Sequence, residues 1–356
     1  MKIAFVIGVY PFQIGGAEMQ ATEIAKSLKK IGHDIYFISY SNKVYTSPLF
    51  KVSIIPIKPH LDLFYLTTKK HIYLALDKIK PDIIYHRAYV PFSHFIARWA
   101  KKHKVPFYFH SADIYTLTQS NFHPINFIKN RLLSYTLKSA SGVICQNEEQ
   151  KLLLEKYNIH SLKKIYNIHS TCPQWYETNP AKLKGVAWIG KFTSIKNPAL
   201  FIQLAHFYEK EDIPFYMFVS RSPDPIIYKE LLEEICKTKN LKLIVGKDNE
   251  FINKFLLEEC RILVNTSLSE GISNTFIQAW MRGIPVLSYN SNPDAWFSNY
   301  NIGYFCNCDK RNLFLGLKIL YNKIIDEDYR KNIVEFAVQN FSEEIIIPQL
   351  SNFMKI

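Results

Sequence analysis

The residues most able to do chemistry are a carboxylate and the turn that follows it. Glu270 and Gly271 precede a helical pattern, and Gly283–Val286 after that pattern is typical of a turn into a strand. The N–H groups of a helix's first turn have no internal partner and favour a bound phosphate. Glu270 would repel a bare phosphate, so we predict that its carboxylate accepts hydrogen bonds from hydroxyl groups. A phosphate site beside a hydroxyl acceptor indicates a sugar nucleotide.

A second candidate is a loop with two lysines. Lys191 and Lys196 lie between a strand pattern that ends at Gly190 and a helical pattern that begins at Pro198. Two ammonium groups can hold a diphosphate from one side and offset the negative charge that develops on a leaving nucleotide diphosphate. Exposed loop lysines without a ligand are the alternative.

The first strand pattern leads into a turn that contains Gly15 and Gly16. Adjacent glycines allow the backbone to approach a ligand closely and to adopt positive φ before a helix. The turn lacks the Gly-x-Gly-x-x-Gly dinucleotide fingerprint, which argues against an NAD enzyme, and it is not a P-loop. An ordinary helix entry is the alternative.

Another candidate is His110, which ends a different strand pattern. A strand-end histidine that faces a cleft can hydrogen-bond a sugar hydroxyl, and a structural histidine that caps a loop is the alternative. His86 and Arg87 follow a different strand end and are weaker candidates. The histidines show no metal-like pairing, so we predict no metal site and no cofactor.

Apolar strand patterns alternate with helical patterns along the chain, which predicts parallel sheets with right-handed crossovers. The predicted strands are 2–8, 34–40, 52–57, 82–86, 106–110, 142–146, 185–190, 214–220, 241–246, 261–266, 285–289 and 303–306. The predicted helices include 17–31, 63–79, 92–103, 125–139, 310–323, 328–339 and 342–354. The stretch 163–183 breaks this rhythm, and we place a boundary there between domains of residues 1–170 and 171–340.

The composition fits a globular protein, with 21% charged and 48% hydrophobic residues. No stretch reaches the roughly 18 apolar residues of a membrane span. The six cysteines are scattered, which indicates buried, reduced thiols and a cytoplasmic protein.

The positive charge lies in the first half. Residues 1–170 hold 23 Lys and Arg against 10 Asp and Glu, whereas residues 171–356 hold 21 of each. Solvated helix faces are one interpretation. The other is peripheral attachment to an anionic membrane, on the inner face of the plasma membrane, where each basic residue contributes roughly 1 kcal/mol. We predict no nucleic-acid partner, because no recognition helix, zinc finger or aromatic RNA motif accompanies the charge.

The Glu270 block resembles the donor-site signature of retaining GT-B glycosyltransferases of family 4. Their pattern is Glu, seven residues, Glu, then a Gly-x-Pro-Val-like run. Glu270 matches the first Glu, and Gly283–Val286 match the run. Gln278 replaces the second Glu, which usually holds the ribose hydroxyls in that family, and an uncharged amide makes weaker hydrogen bonds.

The other candidates also fit the family's motifs. Lys191 and Lys196 occupy the Arg and Lys places of Gly-Arg-x(4)-Lys-Gly, Gly15 and Gly16 match the loop near the donor's phosphate, and His110 matches the His that contacts the donor hexose. The resemblance therefore implies catalytic roles for Glu270, His110 and Lys196. The donor-binding residues that it implies are Gly15, Gly16, Lys191, Lys196, Gly271, Ile272, Ser273, Asn274, Thr275 and Gln278.

The resemblance implies an α/β GT-B fold, in which two Rossmann-like, doubly wound domains face a central cleft and residues 341–356 pack back on the first, acceptor-side domain. It also implies metal-independent transfer of a sugar from a nucleotide-diphosphate sugar to a saccharide or lipid-linked saccharide, as in lipopolysaccharide or capsule synthesis. Retention would come from front-side displacement, in which the leaving phosphate helps to deprotonate the acceptor. A nucleotide-sugar 2-epimerase and a non-catalytic sugar-nucleotide-binding partner protein are the alternatives.

Overall fold

Contacts between residues divide the chain into two units. In the computed structural model, which describes residues 1–56, 65–118, 124–219 and 225–356, the first unit is Met1–Ile168 with Glu343–Ile356 and the second is His169–Ser342. We refer to them as the first and second domains. The predicted boundaries at residues 170 and 341 lie within two residues of these limits. Ile57, Leu63 and Ser220, at the ends of predicted elements, lie outside the described residues.

The first domain is built on a parallel seven-stranded sheet. Its strands are β1 (Lys2–Val6), β2 (Asp34–Tyr40), β3 (Lys51–Ile55), β4 (Ile83–Arg87), β5 (Phe107–His110), β6 (Gly142–Cys145) and β7 (Leu162–Lys164). They lie in the order β3-β2-β1-β4-β5-β6-β7, and every pair is parallel. The helices are α1 (Gly16–Lys30), α2 (Leu66–Ile79), α3 (Ser93–His103), α4 (Tyr115–Thr118), α5 (Pro124–Lys138) and α6 (Glu148–Glu155).

Helices cover both faces of this sheet, which explains its apolar strands. Successive side chains of a strand point to opposite faces. Ala4 and Val6 pack with buried residues of α2, α3 and α5, whereas Ile3 and Phe5 pack with buried residues of α1. Two hydrophobic cores therefore sandwich the strands, and the connecting loops at the carboxyl ends of the strands are left to carry polar groups.

The second domain repeats the plan with six parallel strands. They are β8 (Gly185–Gly190), β9 (Phe215–Val219), β10 (Leu241–Val245), β11 (Cys260–Asn265), β12 (Val286–Ser288) and β13 (Gly303–Phe305), in the order β10-β9-β8-β11-β12-β13. The helices are α7 (Pro198–Phe207), α8 (Pro225–Lys237), α9 (Asn249–Glu258), α10 (Asn274–Trp280), α11 (Trp296–Asn299), α12 (Lys310–Asn322) and α13 (Glu327–Phe341). Two doubly wound domains are the predicted fold class.

The last helix, α14 (Glu343–Met354), packs on the first domain beside α1, as predicted. Buried side chains of α14 belong to the same hydrophobic core as Ile3 and Phe5. Tyr108 Oη donates a hydrogen bond to the Met354 carbonyl over 3.2 Å. The Phe353 ring lies so close to β6 that a Cβ on Gly142 would be 2.7 Å from it, which explains the glycine there.

Three features differ from the sequence predictions. The edge strand β7 was not predicted, because its three residues include Lys163 and Lys164 and give no apolar run. The helices α4, α6, α8, α9 and α11 had no predicted range either. Cys236 and Cys308 are exposed, whereas the other four cysteines are buried, and all six are free thiols. Among the described residues, no helix combines the length and apolar character needed to cross a bilayer.

Candidate functional site

Two loops of the second domain follow the carboxyl ends of the neighbouring strands β8 and β11. Lys191–Asn197 joins β8 to α7, and Thr266–Ser273 joins β11 to α10. The Thr266 hydroxyl donates a hydrogen bond to the carbonyl of Lys196 over 2.8 Å and accepts one from the Trp188 indole over 2.9 Å. The loops are therefore fastened to each other and to β8, at the edge of the sheet where parallel α/β domains bind ligands.

Glu270 and Lys196 form an ion pair between these loops. Lys196 Nζ lies 2.5 Å from Glu270 Oε1, and the two side chains are only 28% and 15% exposed. Glu270 Oε2 accepts hydrogen bonds from Asn265 Nδ2 and Ser267 Oγ, each over 2.9 Å. Three donors thus converge on one carboxylate. Because a carboxylate offers about four lone-pair sites, it can still accept a hydrogen bond from a ligand hydroxyl.

The surroundings of Glu270 keep it ionised. Burial by itself would raise the pKa of the carboxyl group, because it disfavours the charged form. The nearby Lys196 ammonium and the hydrogen bonds from Lys196, Asn265 and Ser267 outweigh burial and hold the pKa below its ordinary value. The site therefore presents a negative charge balanced by an adjacent positive charge.

Gly271, Ile272, Ser273, Asn274 and Thr275 form the end of the loop and the start of α10. Ser273 is the N-cap residue, but its hydroxyl bonds the Thr275 hydroxyl over 2.9 Å and makes no side-chain cap. Ile272 and Ser273 are buried, and the other three are partly exposed. The helix has only seven residues, so its dipole is a weak attraction for phosphate. The role of these residues in donor binding stays a prediction.

The other face of α10 belongs to the core. Ile277, Trp280 and Met281 are fully buried. Gly283 just after the helix has φ +68°, and a Cβ there would lie 2.8 Å from the Cβ of Arg330. Both the backbone conformation and the close approach of α13 require glycine, so this part of the motif has a structural explanation.

Gln278 is also buried, with 3% exposure. Its Nε2 donates to Asn249 Oδ1 over 2.6 Å, at the first residue of α9, and its carbonyl accepts from Arg282. The side chain therefore links α10 to the start of α9. Its predicted contact with ribose stays a prediction.

The two predicted phosphate-binding lysines have different surroundings. Lys191 is exposed directly after β8, whereas Lys196 is partly buried against Glu270. A bound diphosphate would compete with Glu270 for the Lys196 ammonium. Within the described ranges no three His, Cys, Asp or Glu side chains come together as a metal site, and metal independence stays a prediction.

Gly15 and Gly16 begin α1 at the carboxyl end of β1. Gly15 is extended, with φ −168° and ψ 159°, and Gly16 starts the helix. Neither has positive φ, so that part of the prediction was wrong. A Cβ on Gly15 would lie 2.0 Å from a Glu18 carboxylate oxygen, so the open backbone of the turn is occupied by a carboxylate from the same helix.

His110 lies in a buried polar network at the ends of β4 and β5. Its ring is 1% exposed, and Nδ1 lies 2.6 Å from the Tyr85 hydroxyl and 3.0 Å from Arg87 Nη1. Arg87 Nη2 donates to Asn167 Oδ1 over 2.6 Å. The ring is thus enclosed within its own domain, in contrast to the predicted strand-end ring that faces a cleft. Its contact with a sugar stays a prediction.

The network keeps His110 neutral. Burial lowers the pKa of the ring well below its ordinary value, and the Arg87 charge lowers it further. His86, on the neighbouring strand, bonds the Val6 carbonyl and the Ser93 hydroxyl, and burial lowers its pKa to about 4. His86 is therefore a structural histidine.

The sequence analysis did not identify four residues that contact the candidate residues. Asn265 and Ser267 bind Glu270, and Tyr85 and Asn167 belong to the network of His110. Asn265 carried a usable signal, since it is a polar residue that ends an otherwise apolar strand pattern. Asn167 lies in a stretch without periodicity and carried no such signal.

Comparison with known protein families supports a relation to glycosyltransferases. Residues 14–170, a little under half of the chain, match the model of Glycosyltransferase Family 4. No curated protein matches the sequence.

Solved structures match over both domains. HepE from Anabaena, solved with UDP, has a TM-score of 0.75 at 16% identity, with all of both chains covered. Sucrose-phosphate synthase from Thermosynechococcus elongatus has a TM-score of 0.78 at 13% identity, covering all of this chain and 98% of that one. WaaG, a glycosyltransferase involved in lipopolysaccharide biosynthesis, has a TM-score of 0.71 at 14% identity, covering 99% of each. The GT-B fold is confirmed, and the findings together support a glycosyltransferase of the GT-B type.

Proposed function

We propose that this chain, a GT-B protein whose first domain matches Glycosyltransferase Family 4, is a retaining glycosyltransferase. It transfers a sugar from a nucleotide-diphosphate sugar to a hydroxyl of a saccharide or lipid-linked saccharide. The observation that carries the proposal is the Lys196–Glu270 pair, which places one cation and one carboxylate side by side at the carboxyl ends of β8 and β11.

Each member of the pair suits one part of such a donor. The Lys196 ammonium has three N–H donors and can turn from Glu270 to a diphosphate, which competes with the carboxylate for it. Exposed Lys191 adds a second positive charge at the same strand end. The Glu270 carboxylate has acceptor capacity left for a sugar hydroxyl. Both cations would stabilise the charge that grows on the nucleotide diphosphate as it leaves.

In the proposed reaction the bond between the anomeric carbon and the phosphate oxygen breaks, and a bond to the acceptor oxygen forms on the same face of the sugar. The proton of the acceptor hydroxyl goes to the departing phosphate oxygen. The protein supplies position and charge stabilisation, with no protein nucleophile. This agrees with Glu270, which is hydrogen-bonded by Lys196, Asn265 and Ser267 and is an ionised acceptor.

His110 is proposed to contact the donor sugar as a neutral ring. A neutral imidazole can donate from one nitrogen and accept at the other, which suits a hydroxyl partner. Burial lowers the pKa of the ring, and the Arg87 guanidinium beside it lowers that pKa further, so the ring is kept in this form.

We further propose that the acceptor belongs to bacterial-type surface polysaccharide synthesis. WaaG, one of the solved structures with this fold, acts in lipopolysaccharide biosynthesis. The positive charge of residues 1–170 supports attachment to the inner face of the plasma membrane, where a lipid-linked acceptor would lie. The protein is accordingly placed in the cytoplasm or peripherally on that membrane.

Calorimetry with UDP and uridine tests the assignment of the lysines. Lys196→Ala and Lys191→Ala should each weaken binding of UDP more than binding of uridine, because only UDP carries the diphosphate. The matched control is Lys184→Ala, an exposed lysine directly before β8, at the opposite end of that strand from Lys191. Equal losses for both ligands would remove the two lysines from the phosphate site.

Incubation with a panel of UDP-, GDP- and ADP-sugars tests the reaction class. Transfer to an acceptor or slow donor hydrolysis supports a glycosyltransferase. An epimeric nucleotide sugar as the product would indicate an isomerase, and binding without turnover across the panel would indicate a non-catalytic binder.

A further inference from the structure

The two helical layers of the first domain differ in charge. The helices α2, α3, α5 and α6 lie on one face of the sheet. Each of the first three carries three Lys or Arg residues, with Asp77 as their only acidic residue, whereas α6 carries one Lys and three Glu residues. On the other face, α1 and α14 together carry three basic and four acidic residues. The excess positive charge of the first half is therefore concentrated on one side of the domain. General solubility would not require such a segregation.

The basic side also exposes large apolar groups. On α5, Phe127 is 48% exposed, Ile128 is 59% exposed and Tyr135 is 38% exposed, whereas Leu133 and Leu137 of the same helix are buried in the core. The exposed groups follow a helical spacing along one stripe, and Arg131 lies within that stripe with its guanidinium 5.5 Å from the Phe127 ring centroid. A helix with a cationic and aromatic outer face is typical of one that lies in a membrane interface.

The acidic groups of this layer do not cancel its charge, because α2, α3, α5 and α6 together hold ten Lys and Arg residues against four Asp and Glu residues. Asp77 accepts a hydrogen bond from the Trp99 indole over 2.9 Å and is held against α3. At the far edge of the same layer, Glu148 of α6 pairs with Lys164 over 2.7 Å and with Lys151 over 3.3 Å. The exposed cations of α3 and α5, in contrast, include Arg98, Lys101 and Arg131.

The direction of α5 relates this surface to the candidate site. Because α5 follows β5 and precedes β6 in a parallel sheet, it begins at the carboxyl edge of the strands, where His110 lies, and ends at the opposite edge. Phe127 and Ile128 are near its beginning. Lys138 at its end helps to line a cavity of about 340 Å³, together with Lys101 and Lys104. The exposed apolar side chains of α5 are thus nearest the edge of the sheet that holds His110, and a cationic pocket that suits a phosphate headgroup lies at the other end of the helix.

We propose that the outer surface of α3 and α5 rests on an anionic lipid bilayer. We call it the α3–α5 face and define it by Arg98, Lys101, Phe127, Ile128 and Arg131. The aromatic and aliphatic side chains enter the headgroup region, and the cations face anionic headgroups. Exposed aliphatic Ile128 favours lipid over nucleic acid, whose backbone offers phosphates but no apolar phase. The assignment deepens the proposed function, on which its biological meaning rests, since it names the surface that meets the membrane of a lipid-linked acceptor.

Co-sedimentation with vesicles tests the charged part of the face. The full-length protein should bind vesicles of phosphatidylcholine mixed with phosphatidylglycerol at low salt. Binding should fade as the Debye length falls from ~10 Å at 0.1 M salt to ~3 Å at 1 M. Arg98→Gln/Lys101→Gln/Arg131→Gln should weaken partitioning about 100-fold, since each charge contributes roughly 1 kcal/mol and tenfold corresponds to about 1.4 kcal/mol.

The matched control is Lys26→Gln/Lys29→Gln/Lys30→Gln on α1, which removes the same charge from the opposite layer. It should bind nearly as well as the natural chain. Loss of the Lys26–Glu23 and Lys30–Glu343 surface pairs costs little stability, and thermal unfolding of both variants checks that they are folded. Equal losses for the two triple variants would overturn the assignment of the face.

A second pair of variants tests the apolar part. Phe127→Ser/Ile128→Ser should lower binding several-fold and remove the fraction that survives high salt. Leu315→Ser/Ile319→Ser, which changes two exposed residues of α12 in the second domain, should not. These side chains are exposed, so both variants are expected to fold.

Three results would overturn the proposal: no binding to anionic vesicles at low salt, equal binding to pure phosphatidylcholine vesicles, or single-stranded RNA that binds the α3–α5 face more tightly than the vesicles do. None of these measurements needs a sugar donor. If vesicle binding behaves as expected while no nucleotide sugar is bound or turned over, the proposed function fails and the lipid surface stands.

Discussion

Each domain holds a cation near the end of a strand, but the two cations have different partners. In the second domain Lys196 faces the ionised carboxylate of Glu270, so the charges balance within the site. In the first domain Arg87 is 1% exposed, and its guanidinium contacts neutral His110 and the amide oxygen of Asn167. Throughout the part of the chain that the structure describes, Arg87 makes no ion pair.

This difference separates an exchangeable cation from a fixed one. An ammonium paired with a carboxylate near the surface can turn to a phosphate, because a new partner replaces the old one. A guanidinium removed from water without a counter-charge depends on every neutral acceptor around it, since an uncompensated buried charge is costly. We therefore expect Lys196 in the second domain to exchange partners more readily than Arg87 in the first.

The strongest test removes the balancing carboxylate. Glu270→Ala should lower turnover by ~100-fold or more, the scale of a lost transition-state interaction. Steady-state kinetics with the donor identified by the nucleotide-sugar panel measures it. Ser267→Ala, which removes one hydrogen bond and keeps the carboxylate, serves as the control and should lose far less. A folded Glu270→Ala protein with nearly normal activity would falsify the role of the pair.

The second test asks whether buried Arg87 depends on its neutral partner Asn167 for stability. Asn167→Ala should lower the free energy of unfolding by about 1.5–3 kcal/mol, the range for hydrogen bonds to charged groups. Urea denaturation measures this. Asn301→Ala is the matched control, because its amide oxygen also accepts from a cation, Lys323, but on the surface. Similar small losses for both variants would show that burial of Arg87 has no such consequence.

A smaller effect is expected where α10 is linked to α9. If the Gln278 side chain holds ribose, Gln278→Leu should weaken UDP binding by about 1–3 kcal/mol, the cost of leaving a buried partner unpaired. Gln278→Glu should then retain or tighten UDP binding. Calorimetry decides the matter, and unchanged UDP affinity in both variants would show that Gln278 serves only the link between helices.

The smallest expected effect is a pH dependence of stability. The pKa of Glu270 is lowered from its ordinary value of 4.5 in the folded state. The ionised carboxylate therefore stabilises the folded state at pH values above 4.5, and this contribution is lost as the pH falls below 4.5. The difference in unfolding free energy between the natural chain and Glu270→Gln should therefore shrink on acidification below 4.5. A difference that grows in that range would contradict a balanced pair.

The sequence predicted most of the strands, because strands buried on both faces are continuous apolar runs. It could not predict β7, whose lysines lie at an exposed edge and whose pairing depends on β6. The boundary stretch was recognised by its lack of periodicity.

The site was predicted less completely, because its bonds join distant parts of the chain. Glu270 and Lys196 were each singled out, but their pairing across 74 positions follows only from the order of β8 and β11 in the sheet. The bond between Arg87 and Asn167 spans 80 positions. Motif spacing reports local geometry, and it contains no information on such partners.

The return of α14 to the first domain has a consequence for biosynthesis. The chain leaves the first domain at Ile168 and comes back only at Glu343, and the His169 N–H donates to the Phe341 carbonyl over 2.8 Å where the two passages meet. During translation the first domain emerges early but lacks Ile346, Ile347 and Leu350, which complete one of its hydrophobic cores. The apolar surface that α14 later covers beside α1 therefore stays exposed to water while the second domain is synthesised. The domain that is made first is the domain that is completed last.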